Sequence, residues 1–364
     1  MKNSIRQNLS ELMMIPGLSG HEDRVRRNIA AHLKGIGIST TTDRLGNLVA
    51  SFAGEGPSVM LFTHMDQLGF VVRKIESDGF LRIERLGGVP ERALPSQEVL
   101  VCVAKGRDVP GVIANKSHHA TTPDEKYRVV PYAQLYVDTG LGSPEEVKAA
   151  GIRIGSPIVY APNVVELAGA RIAGTSVDDR AGCAVLLEVA EALSNRKSGP
   201  PVHLVFSVQE EYNLRGALPV AQKLLPDIAI QIDLILASDT PDMTGRGDVM
   251  LGGGPAMSMF SFHGRGTLNG VIPHPAMVDL FDKTAEAEGM ALQPSAHTGA
   301  LTDLSYVQLV GEGVASIDMG FPMRYSHSSL EVCDLDDLTA LARLLISALA
   351  RIDVGFSLNR DDYT

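Results

Sequence analysis

At 364 residues and 45% hydrophobic content, the chain can form one large domain or two ordinary ones around a substantial core. Its 43 acidic against 32 basic residues leave a formal charge of −11, which excludes nucleic acid or an anionic membrane as the main partner. Three cysteines, Cys102, Cys183 and Cys333, are odd in number and far apart; they exclude a disulfide framework and a CxxC zinc site and fit a reducing cytoplasm.

The first residues, MKNSIRQNLSELMMIPG, read as an amphipathic helix rather than a secretory signal, and no apolar run approaches membrane-spanning length. An intracellular enzyme is therefore expected. Helical spacing over Ser4 to Met14 and Glu22 to Lys34 is broken by Pro16-Gly17-Leu18-Ser19-Gly20. His21 reads as a capping or surface residue. Short strands are expected at Ser39 to Thr42 and Asn47 to Phe52. The apolar run Pro57 to Thr63 then ends in His64-Met65-Asp66. Two residues apart on extended chain, His64 and Asp66 share a face. The spacing suits a metal-binding imidazole oriented by a carboxylate, or an ordinary hydrogen-bonded pair at a strand end.

From Gly69 to Leu167 the texture changes to short alternating stretches, GFVVRKI, GFLRIERL and VLVCVAKG among them, with one helix candidate, Ser143 to Ala150. This predicts a small β-barrel or sandwich, residues 69–167, inserted into an α/β domain formed by 1–68 and 168–364. His118 and His119 read as exposed or subunit-contact residues. The α/β pattern resumes at Gly174, where Asp178-Asp179 precede the apolar helix AGCAVLLEVAEAL. Asp179 reads as a helix-start residue, and Asp178 as lying outside the helix proper.

The run His203 to Val208 predicts a buried strand that ends in two carboxylates, Glu210 and Glu211. In open α/β sheets ligands collect beyond the carboxyl ends of strands, and neighbours on extended chain diverge, so the two glutamates are suited to different tasks. On its own, a pair of this kind before a helix is far more often a solvated helix start. A helix is expected over Leu214 to Leu224. The strand Gln231 to Ser238 encloses Asp233 among apolar neighbours, where a bare carboxylate is costly and needs a cation or strong donors. Further on, a strand is expected near Ser258 to Phe262, a helix from Pro275 to Glu288 and a strand near Ala291 to Gln293. Ser295 to Asp303 reads as a loop bordering a pocket, with Gly299 and Asp303 as candidate substrate contacts. His263, His274 and His297 read as structural or pocket-wall residues. Val314 to Met319 is expected as the last core strand, and a turn carrying His327 leads into a closing helix, Leu335 to Ile352.

The ordered blocks PGLSGHEDRVR, DRLGNLVA, HMDQLGF, GFLRIERLGGV, LYVDTG, GIRIGSP, SVDDRAG, QEEYNLRGA, IDLILASDTP and YSHSSLEV resemble, nearly end to end, the co-catalytic metallo-aminopeptidases. That family includes glutamyl aminopeptidase, deblocking aminopeptidases and the TET peptidases, some members having been labelled cellulase M or endoglucanase. The resemblance implies a zinc-exopeptidase-like fold, a mixed β-sheet between helices, with the inserted β domain as lid and dimerisation surface. It also implies two divalent ions, zinc first and cobalt or manganese as alternatives: His64 and Asp233 hold one, Glu211 and His327 the other, and Asp178 bridges them. Its catalytic carboxylate falls on Glu210, and the aspartate behind the imidazole on Asp66. Short peptides are the implied substrates, and a dimer-based homo-oligomer, dodecameric in many relatives, the implied assembly. The chain departs from the family's GTDA-like loop at Ala300 to Ser305 and from its LGKGP-like loop at Leu251 to Pro255.

Two rivals follow from the residues. A glycoside hydrolase would also use paired carboxylates, but these must face each other across the scissile bond, and adjacent glutamates diverge. A non-catalytic metal-binding scaffold would have no structural need for Glu210.

Overall fold

The computed structural model describes residues 1–263 and 270–363. Its centre is a mixed sheet in the order Thr40–Thr42, Leu48–Phe52, Val202–Ser207, Val59–His64, Ile228–Leu236, Ala315–Met323, Ala256–Phe262 and Gly270–Val271, with Gln293–Thr298 also paired to Ala256–Phe262. The middle four strands run parallel, so their carboxyl ends lie along one edge. Val59–His64 and Ala315–Met323 are buried throughout, which is why both are mainly apolar, Asp318 being the buried charged exception in the second.

Side chains alternate across that sheet. Val59, Leu61, Leu204 and Phe206 join the core beneath the helices Lys2–Met13, Val177–Ser194, Pro275–Glu288 and Leu335–Leu349. Met60, Phe62 and Val205 face the opposite way, toward Ala217–Leu224 and Leu304–Val307. Between Gly69 and Tyr160 six strands close into a barrel, filled by its own core of Phe70, Val72, Leu81, Ile83, Val99, Val101, Ile113, Val137 and Ile158. Among the described residues no helix is long and apolar enough to cross a membrane.

Three local expectations change. The strand expected near Ala291 to Gln293 lies at Gln293–Thr298, so Ser295 to Thr298 are strand and not loop. Its half-buried positions are polar, Gln293, Ser295 and His297, and alternate with exposed Pro294, Ala296 and Thr298 at the sheet margin, which hides the apolar alternation a strand usually presents. A strand with no forecast, Glu331–Asp334, pairs antiparallel with Arg171–Gly174; it is buried although both its ends are carboxylates. The helix expected from Leu214 begins at Ala217, because Asn213 and Leu214 take left-handed backbone, φ 65° and 54°.

Two measurable consequences follow from this packing. A β-carbon added at Gly216 would collide with the Val208 carbonyl, which is backbone and cannot step aside. Gly216→Ala is therefore expected to destabilise the protein by about 3 kcal/mol, seen as a lower thermal midpoint. Asp318, in the strand Ala315–Met323, accepts a hydrogen bond from Thr302 Oγ1 at 2.8 Å, while its Oδ2 has no partner. Burial pushes this carboxyl up to about 7. The folded state thus keeps a proton that the unfolded chain releases near the ordinary carboxylate value, so this residue's contribution to stability falls as pH rises from about 4 to 7 and is flat above. Asp318→Asn is expected to raise the midpoint at pH 8 and to leave it nearly unchanged at pH 4.

Candidate active site

The strand Val202–Ser207 ends before the two glutamates, and Gln209 turns the chain through left-handed backbone at φ 57°. Glu210 and Glu211 therefore diverge through a bend, not through strand alternation as expected. The bend is pinned from two sides. Glu22 accepts the Gln209 N–H at 3.1 Å, and Asp66 accepts the Glu210 N–H through Oδ1 at 3.0 Å and the Glu211 N–H through Oδ2 at 3.1 Å. Ser19 Oγ donates to the same Asp66 Oδ2 at 2.6 Å. Asp66 also lies behind His64, its Oδ1 3.4 Å from Nδ1, so one carboxylate holds both the glutamate turn and the imidazole.

Asp178 stands between two histidines. Its Oδ1 is 3.0 Å from His64 Nε2 and its Oδ2 3.5 Å from His327 Nε2. Its φ/ψ is non-helical and the Asp178–Asp179 peptide is cis. Asp179 opens the helix, as read from the sequence: its Oδ1 accepts the Gly182 N–H at 2.9 Å, and Oδ2 accepts from Thr63, next to His64. His64, Asp178 and Asp233 offer donor atoms within 4.8 Å of one another, and so do Asp178, Glu211 and His327. The structure thus brings His64, Asp178, Glu211, Asp233 and His327 together, with Glu210 beside them and in neither set.

His327 sits in a left-handed turn, φ 66°, after Tyr325 at φ 60°. Its Nδ1 lies 2.8 Å from the Gly88 carbonyl, on the barrel side, which leaves Nε2 pointing to Asp178 and to Glu211 Oε1, 3.8 Å away. Glu331 was given no role from sequence, yet its Oε1 accepts the His327 N–H at 2.6 Å and its Oε2 the Asp178 N–H at 3.0 Å. Glu22, Ser19, Gly88 and Glu331 are the supports that sequence reasoning passed over. None carries a local pattern; each acts on a segment distant in the chain.

The electrostatics are crowded. Burial pushes Glu210 and Asp233 well above the usual carboxylate range, reinforced at Glu210 by Asp233 and Glu211 and at Asp233 by Asp178 and Asp179. Burial likewise pushes Glu211 up to about 7. At His327 burial opposes the charge but is outweighed by Glu211 and Asp178, which carry it up to about 9. Glu211 Oε1 has no hydrogen-bond partner. Buried carboxylates in such numbers, with imidazole beside them and an orphaned oxygen, are chemically suited to divalent cations.

A cavity of about 810 Å³ opens beyond these strand ends, walled by Leu236, Phe260, His297, Gly299 and Met323 among others. Arg324, on its rim, is held by Asp239 through contacts of 2.5 and 2.7 Å. Gly299 is therefore on the cavity wall. Asp303 is not; it is buried, accepting from Ser207 Oγ at 3.3 Å, and burial pushes it up to about 7.

Fold and site define the class, a mixed α/β protein with two candidate metal-ligand sets sharing Asp178 and a β-barrel against one of its histidines. The particular family is set by comparison: a family model described as M42 glutamyl aminopeptidase matches residues 46–344, and the chain belongs to that family of aminopeptidases. It is 31% identical over 352 residues to lysyl aminopeptidase of Pyrococcus furiosus, covering 95% of this chain and 97% of that one. The solved structure of aminopeptidase APDkam598 from the archaeon Desulfurococcus kamchatkensis superposes with a TM-score of 0.90 at 33% identity, over 100% of this chain and 98% of that one. The TET1 peptidase of Pyrococcus horikoshii, described as assembling into a tetrahedron or a large octahedral shell, gives 0.85 at 27% identity, over 95% and 99% of the two chains.

Proposed function

We propose that this chain is a dinuclear metallo-aminopeptidase that releases the N-terminal residue of short peptides, with Glu210 as general base and then general acid. The observation that carries the reading is the placement of Asp178, whose two carboxylate oxygens face His64 and His327 separately. In this reading His64 and Asp233 complete one set with Asp178, and Glu211 and His327 the other. When bound, the two divalent ions acidify water and polarise the peptide carbonyl. Imidazole and carboxylate donors without thiolate suit zinc, with cobalt or manganese as alternatives.

The chain's own residues do the rest. Glu210 is buried beside both sets, and burial raises its affinity for a proton, so it can take one from the attacking water and deliver it to the leaving amine. Asp66 keeps that carboxylate in place through the Glu210 N–H and keeps Glu211 turned away from it. The cavity lined by Gly299 receives the N-terminal side chain. The barrel, 69–167 in the proposed division, acts as lid, a role its Gly88 carbonyl on His327 supports, and as assembly surface by family resemblance. A dimer-based homo-oligomer follows by analogy with the Pyrococcus horikoshii relative, and the free thiols suit a cytoplasmic setting.

The test is a panel of aminoacyl chromogenic substrates on metal-stripped protein, with single metals restored. Release of the free amino acid, dependent on added metal and blocked by N-acetylation, is expected; reducing sugar from a glucan with no amino acid released would favour the glycosidase reading instead.

A further inference from the structure

A second cleft, of about 430 Å³, lies between the start of the helix Asp23–Gly35 and the barrel. The helix side presents His21, Asp23, Arg24 and Arg27; the barrel side presents Cys102, Val103, Arg153 and Ser156; Gly17 and Leu18 form the floor. Three guanidinium groups against one carboxylate is an unusual balance for a chain with a formal charge of −11.

The carboxylates nearby are already engaged. Asp23 pairs with Arg26 at 2.6 Å, and Asp108 accepts Arg24 at 2.5 and 2.8 Å. Arg27 and Arg153 are exposed, and among the described residues neither guanidinium has an ion pair or hydrogen bond. Arg153 lines the same cleft as His21 and Asp23, from the barrel side. No side chain caps the first amides of that helix, because the Glu22 carboxylate is turned inward to Gly20 and Gln209.

Behind Gly17 lies Arg180, fully buried, its Nη2 donating to the Ile15 carbonyl and to Gln67 Oε1 at 3.4 Å each and its Nε and Nη1 without partners. Its guanidinium is so close to Gly17 that a β-carbon there would stand 2.7 Å from Nη2. Its far side faces Glu22 and Asp66. Two guanidinium groups without ion pairs, Arg27 and Arg153, and the uncapped start of a helix thus border one space whose single carboxylate, Asp23, is already paired with Arg26, while Arg180 behind Gly17 is answered by Asp66 and Glu22.

We propose that this cleft is a binding site for a small doubly charged oxyanion, a phosphate or a dicarboxylate, clamped between Arg27 of the helix and Arg153 of the barrel. It is separate from the strand-end site and does not depend on the aminopeptidase mechanism. The floor nevertheless leads there: Gly17 and Gln67 exchange hydrogen bonds of 2.9 and 3.1 Å, and Ser19 follows with its hydroxyl on Asp66. An occupant would tie helix to barrel across the loop that supports Asp66.

The experiment is calorimetric titration of the metal-loaded protein with inorganic phosphate and, separately, with succinate, comparing wild type with the Arg27→Gln/Arg153→Gln double variant. An anion held by the metals contributes equally in both proteins, so the difference reads the cleft alone. Wild type is expected to bind at least one of the two anions about tenfold or more tightly than the variant, and to gain thermal midpoint with that anion in proportion. Peptide hydrolysis without anion is expected to be unchanged. Saturation by phosphate alone or succinate alone supports the site and names the source. Identical isotherms in the two proteins, or binding of neither anion, would overturn it. If the double variant misfolds, Arg153→Gln alone, on an exposed barrel turn, carries the same comparison.

Discussion

Glu210→Gln is expected to lower turnover by about a thousandfold or more while leaving bound metal at the wild-type level. Glutamine has the shape of glutamate but cannot accept a proton at neutral pH. Glu210 belongs to neither donor set, so its replacement removes no ligand atom. Nor does it loosen the turn, because Asp66 and Glu22 grip the backbone N–H groups of Gln209, Glu210 and Glu211 and not the Glu210 side chain. The carboxylate is crowded by Asp233, Glu211 and Asp303, so the neutral amide relieves repulsion and the metal-free variant should melt no lower than wild type. Metal analysis together with kcat separates the outcomes. Undiminished turnover would move the base to another residue, whereas lost metal would make Glu210 a ligand.

Much of the candidate site was legible from strand ends. His64 ends an apolar run, and one residue beyond the strand Val202–Ser207, after Val208, the polar segment Gln209, Glu210, Glu211 begins. Asp233 declared itself as a carboxylate inside an apolar strand, where it is indeed buried and accepts from Gln231 Nε2 at 3.2 Å and from the Leu234 N–H at 2.7 Å. His327 came only from family resemblance. Its placement needs a left-handed turn and a carbonyl 239 positions away in the chain, and neither leaves a local signature. Glu331 was illegible for the same reason: it binds two backbone N–H groups, which any residue could supply. Strands failed where composition was polar, as at Gln293–Thr298, because burial of a sheet margin is decided by its neighbours rather than by its own residues. The barrel was readable as a change of texture, since short alternating strands with their own apolar core look alike whatever the order in which they pair.

The sharpest test of the paired-ion reading is Asp178→Ala, which is expected to reduce bound metal from about two ions per chain to well below one and turnover by about a thousandfold or more. No other residue belongs to both donor sets among the described residues. Without it each set retains two protein donors, His64 with Asp233 and Glu211 with His327, too few to hold an ion against water. Asp233→Asn touches one set only, so it should retain about one ion per chain. The difference between the two variants is the signature of a shared carboxylate. Misfolding is an unlike outcome and can be told apart. The Asp178 N–H stays tied to Glu331 whatever its side chain, and the lost attraction for His64 and His327 is offset by relief of repulsion on Asp233, Glu211 and Glu331, so metal-free Asp178→Ala should keep a cooperative melt near that of metal-free wild type. A variant that folds, keeps both ions at wild-type affinity and still cleaves peptides would mean that the two histidines do not meet through Asp178 at any ion, and the paired-ion mechanism would fall with it.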